Sequence, residues 1–79
     1  MKAKVFVTLK KSVLDPQGKA VGHGLESMGF KDVKDVRIGK FIELDLNTQD
    51  KTKAEQNLKV MCEKLLANTV IEEYRYEIS

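Results

Sequence analysis

The chain has 79 residues, room for one domain, and a domain this small buries only about 60% of the surface its unfolded chain exposes. Its 14 basic and 12 acidic residues alternate over short distances and leave a net charge of +2, a mixed solvated surface that argues against nucleic acid and against an acidic or basic tail. One cysteine excludes an internal disulfide and leaves too few soft ligands for a zinc site, and no apolar run approaches the roughly 20 residues needed to cross a bilayer.

A marginal core without disulfide or metal leaves association with other chains as the route to stability. The lone cysteine and the absence of a secretory signal predict a reducing, cytoplasmic setting.

Ala3, Val5, Val7 and Leu9 alternate with Lys2, Lys4, Phe6, Thr8 and Lys10, the period of a strand with one buried face. Asp15 then precedes Pro16; a carboxylate cap followed by a proline, whose missing N–H is harmless at the first helical position, predicts a helix start. Val21, Leu25 and Met28 share one face of that helix, and Gly29 supplies its stop. Gly18, Gly22 and Gly24 lie within it, each unfavourable by about 1 kcal/mol relative to alanine. Two readings remain open: close approach of another backbone or ligand, or a weak helix held by tertiary packing.

From Val33 to Leu46 the sequence is β-rich but broken at Gly39-Lys40, which fits a hairpin turn or a bulge in one bent strand. Thr52 and Glu55 have capping-box spacing for a second helix. Its apolar stripe is Ala54, Leu58, Met61 and Leu65, widened by Cys62 and Leu66. Asn68, a residue that tolerates the left-handed conformation, is placed to end that helix, and Val70 to Ile78 reads as a final strand. The expected fold is α+β over residues 1–79 as one domain: a two-layer sandwich in the order β-α-β(β)-α-β, with two helices on one face of a mostly antiparallel sheet.

Catalytic chemistry does not assemble from these residues. His23 is the only histidine and points about 200° away from Val21 around the helix, with no motif supplying a nucleophile or an orienting carboxylate. Cys62 lies on the apolar stripe, where cysteine is ordinarily buried and inert. Gly39-Lys40 lacks the preceding glycine and following Ser or Thr of a P-loop. No cofactor or metal is expected.

If Val5 and Val7 face the helices, Phe6 and Phe41 share the opposite face. RNA-recognition domains stack bases on aromatics so placed, but Glu43 and Asp45 on the same face would repel phosphates. A partly apolar sheet face marks a subunit interface more simply, and a homo-oligomer, dimer or tetramer, is expected.

Three segments carry a family resemblance: Leu14-Asp15-Pro16-Gln17-Gly18-Lys19-Ala20-Val21, Val36-Arg37-Ile38-Gly39-Lys40, and Leu65-Leu66-Ala67-Asn68-Thr69-Val70-Ile71-Glu72-Glu73-Tyr74. In this order they resemble the PurS family, the small subunit of formylglycinamide ribonucleotide amidotransferase in purine biosynthesis. Thr69 stands where the family often has proline, a departure that leaves the turn feasible. The resemblance implies a non-catalytic subunit that joins a glutaminase subunit, which releases ammonia, to an ATP-dependent synthetase subunit, which consumes it. The motif positions it singles out are Asp15, Gly18, Gly39, Lys40, Asn68 and Glu72. Each also has a structural role available: cap, helix packing, turn, solvated charge, helix terminator and strand charge. The other classes compatible with this topology are a small-molecule-binding regulatory domain, an RNA-binding module and an acylphosphatase-like enzyme. The last lacks an arginine in the turn between the first strand and helix, where an anion clamp would sit.

Overall fold

β1 (Lys2–Leu9) is the centre of a sheet with strand order β2-β1-β3, antiparallel to β2 (Gly39–Asp45) on one side and to β3 (Glu72–Ile78) on the other. The computed structural model describes residues 1–79. Two helices, α1 (Pro16–Ser27) and α2 (Lys51–Met61), complete the expected α+β order, and α2 runs on into a π-helical turn, Cys62–Leu66.

The alternation read from β1 sets the layers. Ala3, Val5 and Val7 are buried and pack with Leu58, Cys62 and Ala67, while Ile42, Leu44, Tyr74, Tyr76 and Ile78 from the flanking strands close around them. Each fully buried Leu or Val side chain stabilises the fold by roughly 1.5–3 kcal/mol, so this short list must carry most of the chain's stability.

Several local expectations are corrected. The apolar residues from Val33 to Ile38 belong to no strand: β2 begins at Gly39, so Gly39-Lys40 is neither a hairpin turn nor a bulge but a strand start. The cap of α2 is Asp50, whose carboxylate accepts from the N–H groups of Thr52 and Lys53 at 3.1 and 3.3 Å, so Thr52 sits inside the first turn. The stripe of α2 also changes phase. Across the π-turn the Ala67 N–H reaches the Cys62 carbonyl at 3.0 Å, one residue further than in an α-helix. The buried positions then run Ala54, Leu58, Cys62, Ala67, and Leu65 is left 82% exposed.

α1 starts as the sequence predicts, with Asp15 as cap and Pro16 in the first turn, and ends before Gly29 at φ 99°. Its apolar stripe, however, does not meet the core. No α1 residue belongs to the hydrophobic cluster; Gly18 is its only buried residue, and Val21 and Met28 are exposed. The molecule measures 48 × 25 × 14 Å. A strand the length of β1 spans about 26 Å, so the sheet alone does not account for the long dimension. The radius of gyration, 15.9 Å, exceeds the roughly 12 Å of a compact chain this long. α2 covers the sheet, and α1 extends from it as an arm.

Candidate functional site

At the root of that arm, the β1–α1 loop, the start of β2 and the turn into β3 converge. Asp15 is the pivot. Its backbone is extended, φ −113° and ψ 94°, which leaves the side chain over the first turn of α1. One carboxylate oxygen accepts the Gly18 N–H at 2.9 Å and the other the Ile38 N–H at 2.7 Å. These two donors, helped by the nearby Arg37 guanidinium and opposed by burial, hold its carboxyl below the ordinary carboxylate range. A single buried side chain thus ties the arm to the residue before β2.

Two glycines make the approach possible. A Cβ at Gly18 would collide with the Val36 carbonyl oxygen, and one at Gly39 with the Val7 carbonyl oxygen while lying 2.7 Å from Thr8 Cγ2. Neither has a positive φ; the requirement at both is space.

Arg37 returns the tie in the other direction. Its Nη2 donates to the carbonyls of Lys10 and Val13 at 2.7 and 2.8 Å, stitching the β1–α1 loop to the strand approach, and its Nε is buried without a partner. The side chain is spent on backbone carbonyls, which accounts for its unavailability as an anion clamp. Local spacing gives Arg37 no signature, because its partners are 24 and 27 residues away.

Lys40 Nζ lies 3.7 Å from Glu72 Oε2. Glu72 Oε1 accepts the Asn68 N–H at 2.7 Å, and the Asn68 carbonyl accepts in turn from Ile71 and Glu72. Asn68 Oδ1 accepts from Val70 at 3.2 Å. Asn68 therefore organises a turn with its side chain and carbonyl rather than ending a helix in the left-handed conformation, since no residue other than glycine has positive φ. The Lys10 N–H donates to the Ile71 carbonyl at 2.9 Å and joins this turn to the end of β1. Asp15, Gly39, Lys40 and Glu72 line one hollow of about 400 Å³, with Gly18 bonded to Asp15 and Asn68 bonded to Glu72. The six sequence-selected residues form one connected cluster. Around it, Leu14 and Val70 are 64% and 79% exposed.

His23 and Cys62 stand apart from this cluster. His23 is exposed on α1. Cys62 is fully buried, and burial, with the neighbouring Glu63 carboxylate, pushes its thiol pKa up, the condition of an unreactive cysteine.

On the opposite side of the sheet, Phe6 and Phe41 are register partners whose rings stack at 5.2 Å and 27°. Arg75, the register partner of Phe6 on β3, lies 4.0 Å over the Phe6 ring.

The sequence profile of the PurS family, phosphoribosylformylglycinamidine (FGAM) synthase, matches residues 2–79. The chain belongs to the PurS family. It is 60% identical over 77 residues to the phosphoribosylformylglycinamidine synthase subunit PurS of Bacillus subtilis, covering 98% of this chain and 90% of the relative. The B. subtilis PurS structure superposes with a TM-score of 0.86 at 59% identity, over 99% of this chain and 96% of that one. A chain in the structure of PurLQS from Thermotoga maritima gives a TM-score of 0.88 at 36% identity, over 96% and 93%. In this PurS-family chain the cluster around Asp15 joins the arm to the sheet, with backbone groups satisfying the Asp15 carboxylate and the Arg37 Nη2.

Proposed function

We propose that this chain, working as one domain over residues 1–79, is the non-catalytic PurS subunit of a cytoplasmic formylglycinamide ribonucleotide amidotransferase. It joins the glutaminase subunit to the ATP-dependent synthetase subunit and supports ammonia transfer between them. The observation that carries this reading is full-length likeness to a chain in the PurLQS structure. No helix is long and apolar enough to cross a membrane.

The geometry supplies a physical role. Asp15 and Arg37 fix the β1–α1 loop and the approach to β2 through hydrogen bonds to backbone, Asn68, Glu72 and the Lys10 N–H fix the turn into β3, and these segments hold Leu14, Val70 and Ile71 out to solvent. Rigid loops bearing apolar tips are suited to recognition by a preformed partner surface, because little ordering entropy remains to be lost on binding. The cluster Asp15, Gly18, Gly39, Lys40, Asn68 and Glu72 is the framework of that surface. Free ammonia is lost or protonated in water, so a subunit that seals two active sites together needs to contribute shape and contacts alone. The chain also associates with itself, as a dimer or tetramer, through the Phe6–Phe41 face.

The test is reconstitution with the glutaminase and synthetase subunits. Adding the chain should raise glutamine-dependent amidine formation far more than ammonia-dependent formation, since supplied ammonia bypasses the coupling. Equal stimulation of both rates, or of neither, would remove the basis for a coupling role.

A further inference from the structure

The core of this chain does not hold α1. None of its residues joins the hydrophobic cluster, Gly18 alone is buried in it, and residues 31–35, which return from it towards β2, are all exposed. A helix of 12 residues is too short to persist in water by itself, and Gly18, Gly22 and Gly24 weaken this one further. Its order has to come from what touches it. That neighbour is Val36, whose carbonyl leaves no room for a Cβ at Gly18 and whose side chain is 3.7 Å from where a Cβ at Gly22 would stand.

Val36 is placed in turn by the two residues that follow it. Arg37 Nη2 donates to the carbonyls of Lys10 and Val13, and the Ile38 N–H donates to Asp15, so the outgoing segment 10–15 and the returning segment 36–38 are cross-tied at a neck. The sheet on the other side of that neck is held quite differently. Ala3, Val5 and Val7 are buried, and β1 is hydrogen-bonded along both edges. Segments with few buried apolar contacts open at lower free energy than core strands, and they open as cooperative units.

We propose that residues 16–36 open and melt as a unit separate from the sheet and α2, and that Arg37 and Asp15 latch that unit shut at its neck. Dependence runs from the Arg37 guanidinium through the position of Val36 to the helix, so α1 is governed by a side chain that makes no hydrogen bond to it. The latch allows the arm to be released or fixed while β1, α2 and the core between them stay folded.

Native-state amide hydrogen exchange on the full chain, followed residue by residue at low urea concentrations, tests this. In the parent chain the α1 amides should exchange faster than those of β1 and with little dependence on urea, since melting the arm exposes little surface. Asp50→Ala, which removes the cap of α2, should speed β1 exchange by about fivefold and leave α1 unchanged. Arg37→Met should speed α1 exchange at least about tenfold. If the α1 amides share the rate and urea dependence of β1, or speed up with it in Asp50→Ala, the separate unit is overturned, and that comparison stands whether or not Arg37→Met folds. Asp15→Asn gives a second reading of the latch. Separate opening that proceeds at the parental rate in the latch variants would overturn the roles given to Arg37 and Asp15.

Discussion

Asp15 and Ile38 are separated by 23 positions in sequence, yet the carboxylate of the first accepts the backbone N–H of the second at 2.7 Å. The same carboxylate caps α1 through Gly18, so one ionised group holds both the direction of the arm and the entry to β2. Asp50 offers the comparison, since it caps α2 at an exposed site with no long-range partner. Replacing an ordinary cap by alanine destabilises by about 1 kcal/mol. Asp15→Ala should lower the urea midpoint by clearly more than Asp50→Ala, because it strands the Ile38 N–H as well. Equal midpoints would show that the tie to Ile38 contributes nothing.

The same group gives the protein an acid limit. Its folded pKa is depressed by the two backbone donors, so its contribution is fully present above the unfolded aspartate range of about pH 4 and is lost as pH falls through the lower folded value. The stability gap between the parent chain and Asp15→Asn should be constant from pH 7 to 5 and shrink below that. A gap that grew on acidification would contradict the assignment.

Tyr74 sets a weaker limit at the alkaline end. Its hydroxyl donates to Glu63 at 2.9 Å, and that bond, with burial and the carboxylate charge, raises the phenol pKa. The contribution is complete below the ordinary tyrosine value of about 10 and disappears as pH rises through the higher folded value. Tyr74→Phe should reduce stability by at most about 1 kcal/mol at neutral pH, with the difference vanishing at high pH. Spectrophotometric titration of the tyrosines, showing whether one of the two ionises late and returns to normal in Glu63→Gln, is the direct check.

Gly39→Val should lower stability by about 2 kcal/mol or more through collision with Val7 and Thr8. Lys40→Ala, which removes one ion pair at 3.7 Å whose lysine side chain is 58% exposed, should change it by less than about 1 kcal/mol. Thermal or chemical denaturation of the two variants side by side decides this, and similar midpoints would show that the backbone can shift to accept a side chain.

Self-association through the open sheet face predicts that Phe41→Ser weakens assembly while leaving the monomer's secondary structure intact, because Phe41 is 53% exposed and supports no buried residue of its own layer. Sedimentation over a range of concentrations measures it. An unaltered association constant would place the interface elsewhere.

What the sequence disclosed divides along the range of the interactions involved. The alternation in β1, the Asp15-Pro16 cap and the stop at Gly29 are local and were legible, as was the sharing of one face by Phe6 and Phe41, which follows once β1 and β2 pair. The second helix start was displaced because Asp50 and Thr52 are both good capping residues, and only the hydrogen bonds select Asp50. Periodicity correctly gave α1 an apolar side but was silent on what lies against it. In the sequence the six motif residues are separate features. Their union into one cluster depends on pairings such as Lys40 with Glu72 and Asp15 with Ile38, and the Arg37 tie has no local signature at all.

The π-turn at Cys62–Leu66 bears on how this chain can change length. Removing one residue inside a regular helix rotates everything beyond it by about 100°, which would carry a following strand's attachment off its face. Here the extra residue is already present and lies between the last core position of α2 and Ala67. Deleting Lys64 would let the carbonyl of Cys62 bond one residue sooner, turning the π-turn into ordinary α-helix while Cys62 and Ala67 keep their places. The bulge thus acts as slack in the chain, making this junction the point in α2 where a single-residue deletion can be absorbed without moving β3.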